Sequence, residues 1–188
     1  MHAAVCDFIL DCLQNSIEAG ASEIGLLIDE NPELISVRIR DNGIGMTDEE
    51  LKRAVDPFYT DGLKHSGRKV GLGLPFMIQA VQLAEGDWSL DSEKGRGTEL
   101  CFSFKSEHVD TPPMGDISGM LLQAFMFDGN FELEFERRLR KGKANDSYIL
   151  KRSEIVGVLG DLNDADSLIM ARQFLKSQEE DVSSNEDV

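Results

Sequence analysis

The sequence is short of positive charge. Its 188 residues include 35 acidic and 19 basic side chains, which give a formal net charge of −16. A surface with this charge repels the phosphates of nucleic acids and of anionic lipids. The composition therefore disfavours nucleic-acid binding and attachment to a membrane, and it predicts a soluble protein whose copies repel one another.

Long apolar runs are missing as well. No stretch approaches the ~20 residues that a membrane-spanning helix needs, and the first residues lack the pattern of a signal peptide. We therefore expect a cytoplasmic protein. Cysteine is scarce: Cys6, Cys12 and Cys101 are an odd number without metal-ligand spacing, and we interpret them as reduced thiols of the core.

The first informative segment is DCLQNSIEAG, which has the pattern of a helix. Residues three and four apart share a helix face, so Asp11, Asn15 and Glu18 or Ala19 are expected side by side. A carboxylate one turn from a carboxamide suits a water-activating group beside a Mg²⁺ ligand, because Mg²⁺ takes oxygen donors and keeps several waters. The alternative is that Asp11 only solvates the helix, whereas Asn15 is a poor helix former that needs another reason to be there.

Three glycine-containing segments, DNGIGM, VGLGL and GRGT, follow in that order. Asp41 opens the first one and offers a hydrogen-bond acceptor. Gly43 and Gly45 lack Cβ atoms and would let a flat base approach the backbone. Each segment alone is a weak signal, but the four in order within the first hundred residues predict a nucleotide pocket.

These four segments resemble the GHKL, or Bergerat-fold, ATPase superfamily, which includes DNA gyrase, a heat-shock chaperone, sensor histidine kinases and the MutL-type mismatch-repair ATPase. The resemblance covers roughly residues 3–105. It implies that ATP and Mg²⁺ bind, with Asn15 as the Mg²⁺ ligand and Asp41 as acceptor of the adenine amino group. The further nucleotide-binding residues that it implies are Ala19, Gly43, Gly45, Met46, Thr98 and, at the phosphates, the backbone of Gly71, Leu72, Gly73 and Leu74.

One position departs from the ATP-hydrolysing members, which usually carry Glu one turn before the Asn. Here the candidate general base is Asp11, which is one methylene shorter and must lie closer to the attacking water or act through a second one. Two functions stay open. The first is a Mg·ATP-binding regulator that hydrolyses ATP slowly or transfers its γ-phosphate to a partner protein. The second is a non-catalytic module whose nucleotide state controls docking to another protein.

The segment between the first two glycine motifs is expected to form a lid over the triphosphate. It opens with Thr47 as N-cap and Glu50 three residues later, the pattern of a capping box. Residues 56–60, DPFYT, resemble the aromatic motif that precedes the lid in sensor histidine kinases. Lys64 and Arg68 could then contact phosphate oxygens, or they could solvate a loop; the sequence leaves both interpretations open.

The periodicity of apolar residues predicts an α/β fold. Alternating strands are expected at residues 34–41 and 88–93, among others, and a helix opened by glycines at residues 73–84. Over residues 1–107 these elements predict a two-layer sandwich. A mixed, mostly antiparallel sheet would carry helices on one face, with the pocket between the two layers.

Residues 110–113, DTPP, interrupt this pattern because neither helix nor sheet propagates through them. We predict a small α+β extension at residues 108–177 and a disordered acidic tail at residues 178–188. Ser153 is expected to cap a helix of the extension. The basic cluster at residues 137–143 could bind an acidic partner, although a solvated hairpin tip is the preferred interpretation.

Parts that larger members of the superfamily carry are absent. The three histidines, His2, His65 and His108, do not lie in the dimerising helical hairpin that holds the phospho-accepting histidine of a sensor kinase. The residues after the ATP-binding part are too few for a second, transducer domain. The architecture therefore resembles small stand-alone bacterial ATP-binding proteins related to sensor kinases, and a protein partner is expected at the lid or the extension.

Overall fold

Strands of this chain form where apolar and polar residues alternate, and helices form where apolar residues recur every three or four positions. The computed structural model describes residues 4–56, 73–141, 144–160 and 164–184. The strands are β1 (Glu23–Glu30), β2 (Leu34–Asp41), β3 (Trp88–Glu93), β4 (Gly97–Lys105), β5 (Glu132–Lys141) and β6 (Ala144–Lys151). The helices are α1 (Val5–Glu18), α2 (Asp48–Ala54), α3 (Gly73–Leu83), α4 (Ile117–Phe125), α5 (Arg152–Leu159) and α6 (Ala165–Ser184).

The six strands form one mixed sheet in the order β3, β4, β2, β1, β5, β6. Neighbouring strands are antiparallel except β1 and β5, which are parallel. This confirms the predicted α/β class and the mostly antiparallel sheet. Strands β2 and β3 begin and end at the predicted residues, and the Thr47–Glu50 capping box opens α2 as expected.

One face of the sheet carries the core and the other stays open. On β2 the residues Ile35, Val37 and Ile39 are buried, whereas Arg38 and Arg40, which alternate with them, are exposed. Helices α1, α3, α4, α5 and α6 contribute further buried side chains to this same core. Each large apolar side chain that is removed from water there stabilises the fold by about 2 kcal/mol.

The extension continues the sheet of the preceding residues. All eight residues of β1 pair with β5, from Glu23 opposite Glu132 to Glu30 opposite Leu139. Strand β6 then pairs with β5 and forms the edge. Residues before and after the DTPP break therefore share one sheet and one core.

The predicted disordered tail is wrong for residues 178–184, because α6 continues to Ser184. Two contacts explain the difference. Tyr148 on β6 donates a hydrogen bond to Glu179, and Val182 is buried against the rest of the protein. The polar composition of the segment concealed both contacts. Residues 185–188 lie outside the described residues.

Two further expectations in the extension are wrong. Helix α5 begins at Arg152, so Ser153 lies in its first turn instead of capping it, and the Ser153 N–H donates to Glu132 Oε1 at 3.1 Å. The basic cluster is not simply a solvated hairpin tip. Arg137 is buried beneath the sheet beside Glu30, and Arg140 binds Asp29. Within the described part of the chain, no helix is long and apolar enough to cross a membrane.

Candidate functional site

A cavity of about 440 Å³ opens between the helices and the sheet, within the size range of small-molecule sites. A larger hollow of about 640 Å³ lies on the open face of the sheet, and none of the predicted site residues that the structure describes lines it. The smaller cavity is therefore the better candidate. Predicted residues that line it are Asn15, Ala19, Asp41, Gly45, Met46, Leu74 and Thr98.

Asp41 forms the polar floor of this cavity. Its residue is only 8% exposed, and it is the one buried carboxylate among the described residues. Ser16 Oγ donates to its Oδ2 at 2.8 Å, and the Gly43 N–H donates to its Oδ1 at 2.9 Å. The sequence predicted an acceptor at this position, and the folded protein holds the carboxylate with two donors of its own. A carboxylate has about four acceptor sites, so it retains capacity for a ligand.

Ser16 is a functional candidate that the sequence did not single out. It lies in the last turn of α1, 25 residues before Asp41, so spacing gave no indication of their contact. Serine, like the neighbouring Asn15, is a poor residue for a helix interior. Two adjacent poor helix formers within a predicted helix were the only local indication that this part of α1 has a functional role.

The wall beside Asp41 is built from the hairpin β3–β4. Thr98 lies directly opposite Asp41 in the pairing of β2 with β4. Ser92 joins this wall to the glycine loop: its Oγ accepts from the Met46 N–H at 2.9 Å and lies 2.9 Å from Thr98 Oγ1. The sequence also missed Ser92, because a serine in a strand carries no distinctive pattern.

Gly45 is required by the protein's own backbone. Its φ of +59° lies in the left-handed region, and a Cβ at this position would lie 2.0 Å from the Glu93 carbonyl oxygen. The sequence explained this glycine by the approach of a base. The structure adds a packing reason, which is that the loop passes directly over the end of β3.

Asn15 lines the cavity from α1, and Asp11 lies one helical turn before it, where α1 meets the start of α3. Asn15 is exposed and lines the cavity, whereas Asp11 is half-buried and does not line it. The Asp11 carboxylate lies against Gly73, because a Cβ there would approach its Oδ2 to 2.6 Å. The partial positive charge of a helix N-terminus favours a carboxylate at this position.

The remaining predicted residues are divided between described and undescribed parts of the chain. Gly73 and Leu74 form the first turn of α3. Lys64, Arg68, Gly71 and Leu72 lie outside the described residues, as does most of the DPFYT motif. Their predicted contacts with phosphates stay predictions.

Two of the three free thiols are shielded. Burial is the main cause that raises the pKa of Cys6 and of Cys12 to about 12 each. Neighbouring carboxylates, Asp116 for Cys6 and Asp11 for Cys12, raise these pKa values further. Both thiols therefore stay protonated at neutral pH.

Cys12 should resist alkylation in the native protein although it lines the cavity. The thiolate is the reactive form, so a buried thiol with a raised pKa should react with N-ethylmaleimide at least about tenfold more slowly than half-buried Cys101. Peptide mass spectrometry after timed quenching at pH 7.5 measures both rates. Urea should make all three cysteines react alike, and equal native rates for Cys12 and Cys101 would contradict this prediction.

Comparison with known proteins agrees with this geometry. A family model described as "Histidine kinase-, DNA gyrase B-, and HSP90-like ATPase" matches residues 4–108, more than half of the chain. The chain belongs to this family. The match includes α1, the first four strands and every described residue of the cavity, so the chain contains a histidine kinase-like ATP-binding domain.

The chain is also similar to parts of several curated kinases. Sensor histidine kinase RcsC of Salmonella typhimurium is 27% identical over 117 residues, which cover 60% of this chain and 12% of the relative. Sensor histidine kinase WalK of Bacillus subtilis is 32% identical over 109 residues, which cover 55% and 18%. Sporulation kinase E of the same organism is 34% identical over 94 residues, which cover 47% and 12%. The chain thus spans less than a fifth of the length of these curated relatives.

One of the solved structures to which the chain is similar is also a sensor kinase. The mycobacterial sensor histidine kinase MprB is 22% identical, with a TM-score of 0.41, over 52% of this chain and 69% of that one.

Proposed function

We propose that this protein binds Mg·ATP in the cavity above Asp41 and acts as a cytoplasmic regulator. It would hydrolyse ATP slowly or transfer the γ-phosphate to a partner protein. The observation that carries this proposal is the buried Asp41 carboxylate, fixed by Ser16 and Gly43 at the floor of the cavity. The family match supports nucleotide binding, while turnover, partner and location are our inference.

The end of the cavity at Asp41, called the base end here, has the chemistry that adenine needs. Asp41 presents fixed acceptor atoms at a position largely shielded from solvent, and an acceptor there selects a base with an amino group at the matching position. Apolar side chains of Ile39, Met46 and Leu90 line the same cavity and suit the faces of a flat ring.

The other end has oxygen donors suited to Mg²⁺. Asn15 presents its carboxamide at the cavity, and Asp11 lies one helical turn before it. Among the described residues no group of three or more His, Cys, Asp or Glu side chains could hold a metal. This fits Mg²⁺, which usually takes one or two protein ligands together with waters and phosphate oxygens. Asn15 would hold the ion, which would neutralise phosphate charge.

Asp11 is the candidate general base for an attacking water. Its carboxylate is held against the first residue of α3, close to where phosphates would meet the helix N-terminus. The absence of Asp11 from the cavity lining favours a second candidate function: a nucleotide-gated interaction module without turnover.

Incubation with γ-labelled ATP, with and without cell extract, tests the two candidates. Free phosphate or labelled protein is expected with the wild type. Asp11→Asn should lose this turnover and keep nucleotide binding, whereas Glu18→Gln, an exposed change on the same helix, should keep both. Binding without turnover in the wild type would favour the interaction module, and absence of binding would refute both candidates.

Asn15→Ala should remove the Mg²⁺ dependence of ATP binding. Mg²⁺ is a small cation that demands near-octahedral coordination, so the loss of one oxygen ligand weakens its binding. The affinity for ATP in Mg²⁺ should therefore fall about tenfold or more, while the affinity for ADP in EDTA stays unchanged. Titration calorimetry measures both. Gln14→Ala, which removes the adjacent exposed carboxamide, is the matched control and should leave both affinities unchanged. An equal loss for both nucleotides would mean that Asn15 supports the fold instead.

A further inference from the structure

A charged pair bridges two walls of the cavity. Lys94 lies in the turn between β3 and β4, Glu50 lies in the first turn of α2, and both line the cavity. Lys94 Nζ donates to Glu50 Oε2 at 3.1 Å and to Oε1 at 3.3 Å. The two side chains are 50% and 46% exposed, so the pair lies at the rim.

Helix α2 depends on such peripheral contacts. It has seven residues, and none of them is buried. Glu50 serves two purposes there: its Oε2 accepts the Thr47 N–H at 2.8 Å, which caps the helix, and the same carboxylate binds Lys94. The Thr47 hydrogen bond, followed by that of Lys94, holds the pKa of Glu50 below its usual value, so it is ionised at neutral pH.

The turn that carries Lys94 is fixed more firmly. The Gly95 N–H donates to the Ile44 carbonyl at 2.8 Å, and Ser92 Oγ accepts from the Met46 N–H. The hairpin is thus hydrogen-bonded to Ile44 and Met46 in the loop immediately before α2. The hairpin belongs to the sheet, whereas α2 has no buried residue. Lys94 therefore extends from a firmly held element toward a helix with few packing contacts.

We infer that Lys94 is a positioning residue for the nucleotide: its pair with Glu50 holds α2 across the base end of the cavity and slows release of the bound nucleotide. The inference rests on the proposed nucleotide site. Chain continuity places the pair near Asp41, because α2 begins two residues after Met46 and Lys94 directly follows the strand that holds Ser92.

This role has a distinct signature. Lys94 acts on the wall beside the base, so its loss should affect ATP and ADP equally and should not depend on Mg²⁺. A half-exposed pair is screened by salt, so the difference between wild type and variant should shrink as ionic strength rises. A lysine that contacted the γ-phosphate would instead act on ATP alone.

Stopped-flow dissociation of a fluorescent ADP from the full chain tests the inference. Lys94→Ala should release the nucleotide about fivefold faster, the upper range for an exposed ion pair, and Lys94→Arg should restore the wild-type rate. Glu50→Gln retains an oxygen for the Thr47 cap; in that background Lys94→Ala should add little, since the two residues act as one pair. Lys105→Ala is the matched control, because it breaks the half-exposed Lys105–Glu85 pair at the far end of β4 and should leave release unchanged.

Hydrogen exchange gives an independent readout. Amides of residues 48–54 should lose protection in Lys94→Ala even without nucleotide, while those of β4 should keep it. Unchanged release and unchanged exchange in Lys94→Ala would overturn the positioning role alone, as would an effect confined to ATP or fully additive effects of the two substitutions. A wild type that binds neither ADP nor ATP would overturn the proposed function, and this inference with it.

Discussion

Asp41→Asn is expected to lower the affinity for both ATP and ADP by at least about a hundredfold. An asparagine amide brings one acceptor oxygen and one NH₂ donor to a place where Ser16 and Gly43 already supply donors. If the NH₂ group faces Gly43, it meets the Gly43 N–H, which is also a donor. If it faces Ser16, whose hydroxyl can turn to accept, one of the two oxygens that could receive the adenine amino group is replaced by a donor. Asp41 is only 8% exposed, so little water can reach a mismatched amide there to relieve the loss.

Titration calorimetry with ATP, ADP and GTP measures this effect. Discrimination against GTP should vanish together with the affinity, because the same acceptor selects the base. Asp91→Asn, an exposed change on β3, should bind like the wild type. Circular dichroism shows whether each variant is folded, and unchanged ATP affinity in folded Asp41→Asn would refute the adenine assignment.

Arg137→Ala should lower the free energy of unfolding by about 3 kcal/mol. The Arg137 side chain is 4% exposed and makes an ion pair with Glu30 at 2.5 Å. Its Nε lies 3.7 Å from Glu179 Oε2, and it is the one buried side-chain polar atom without a hydrogen bond among the described residues. Removing the guanidinium leaves two carboxylates at 26% and 20% exposure without their shared cation.

Urea denaturation followed by circular dichroism measures the loss. Arg138→Ala is the matched control, since this neighbour pairs with Glu136 at 2.6 Å on the open face, where exposed pairs contribute about 0 to 1 kcal/mol. Comparable losses for Arg137→Ala and Arg138→Ala would contradict the structural importance of the buried cluster. A loss of α6 helicity in Arg137→Ala before global unfolding would locate the weakness at Glu179.

Local patterns explain which elements the sequence predicted well. Strands β2 and β3 show regular alternation, so their limits followed from period alone. The capping box at Thr47 depends on two residues three positions apart, and it formed as expected. The resemblance to a known family assigned both Asp41 and Thr98 to the nucleotide site, and the strand pairing brings them opposite each other.

Long-range contacts explain what the sequence did not predict. The parallel pairing of β1 with β5 leaves no local pattern, because nothing within either strand identifies its neighbour. Arg137 and Glu30 are 107 residues apart, and both are residue types that usually lie at the protein surface, so the sequence gave no sign that they form a part-buried pair. The length of α6 was underestimated for the same reason, since its last turns are held by Tyr148 and by burial of Val182.

The pairing of β1 with β5 has a consequence for any shortened form of this protein. A chain ending at residue 107 would keep the matched ATPase segment almost complete, but it would turn β1 from an interior strand into a bare sheet margin. Its unpaired N–H and C=O groups would offer a template to other chains, and Ile24, Leu26 and Ile28 would lose the cover of the extension. Such a fragment would tend to aggregate. The extension therefore protects the ATP-binding domain from edge-to-edge association by pairing β5 with β1.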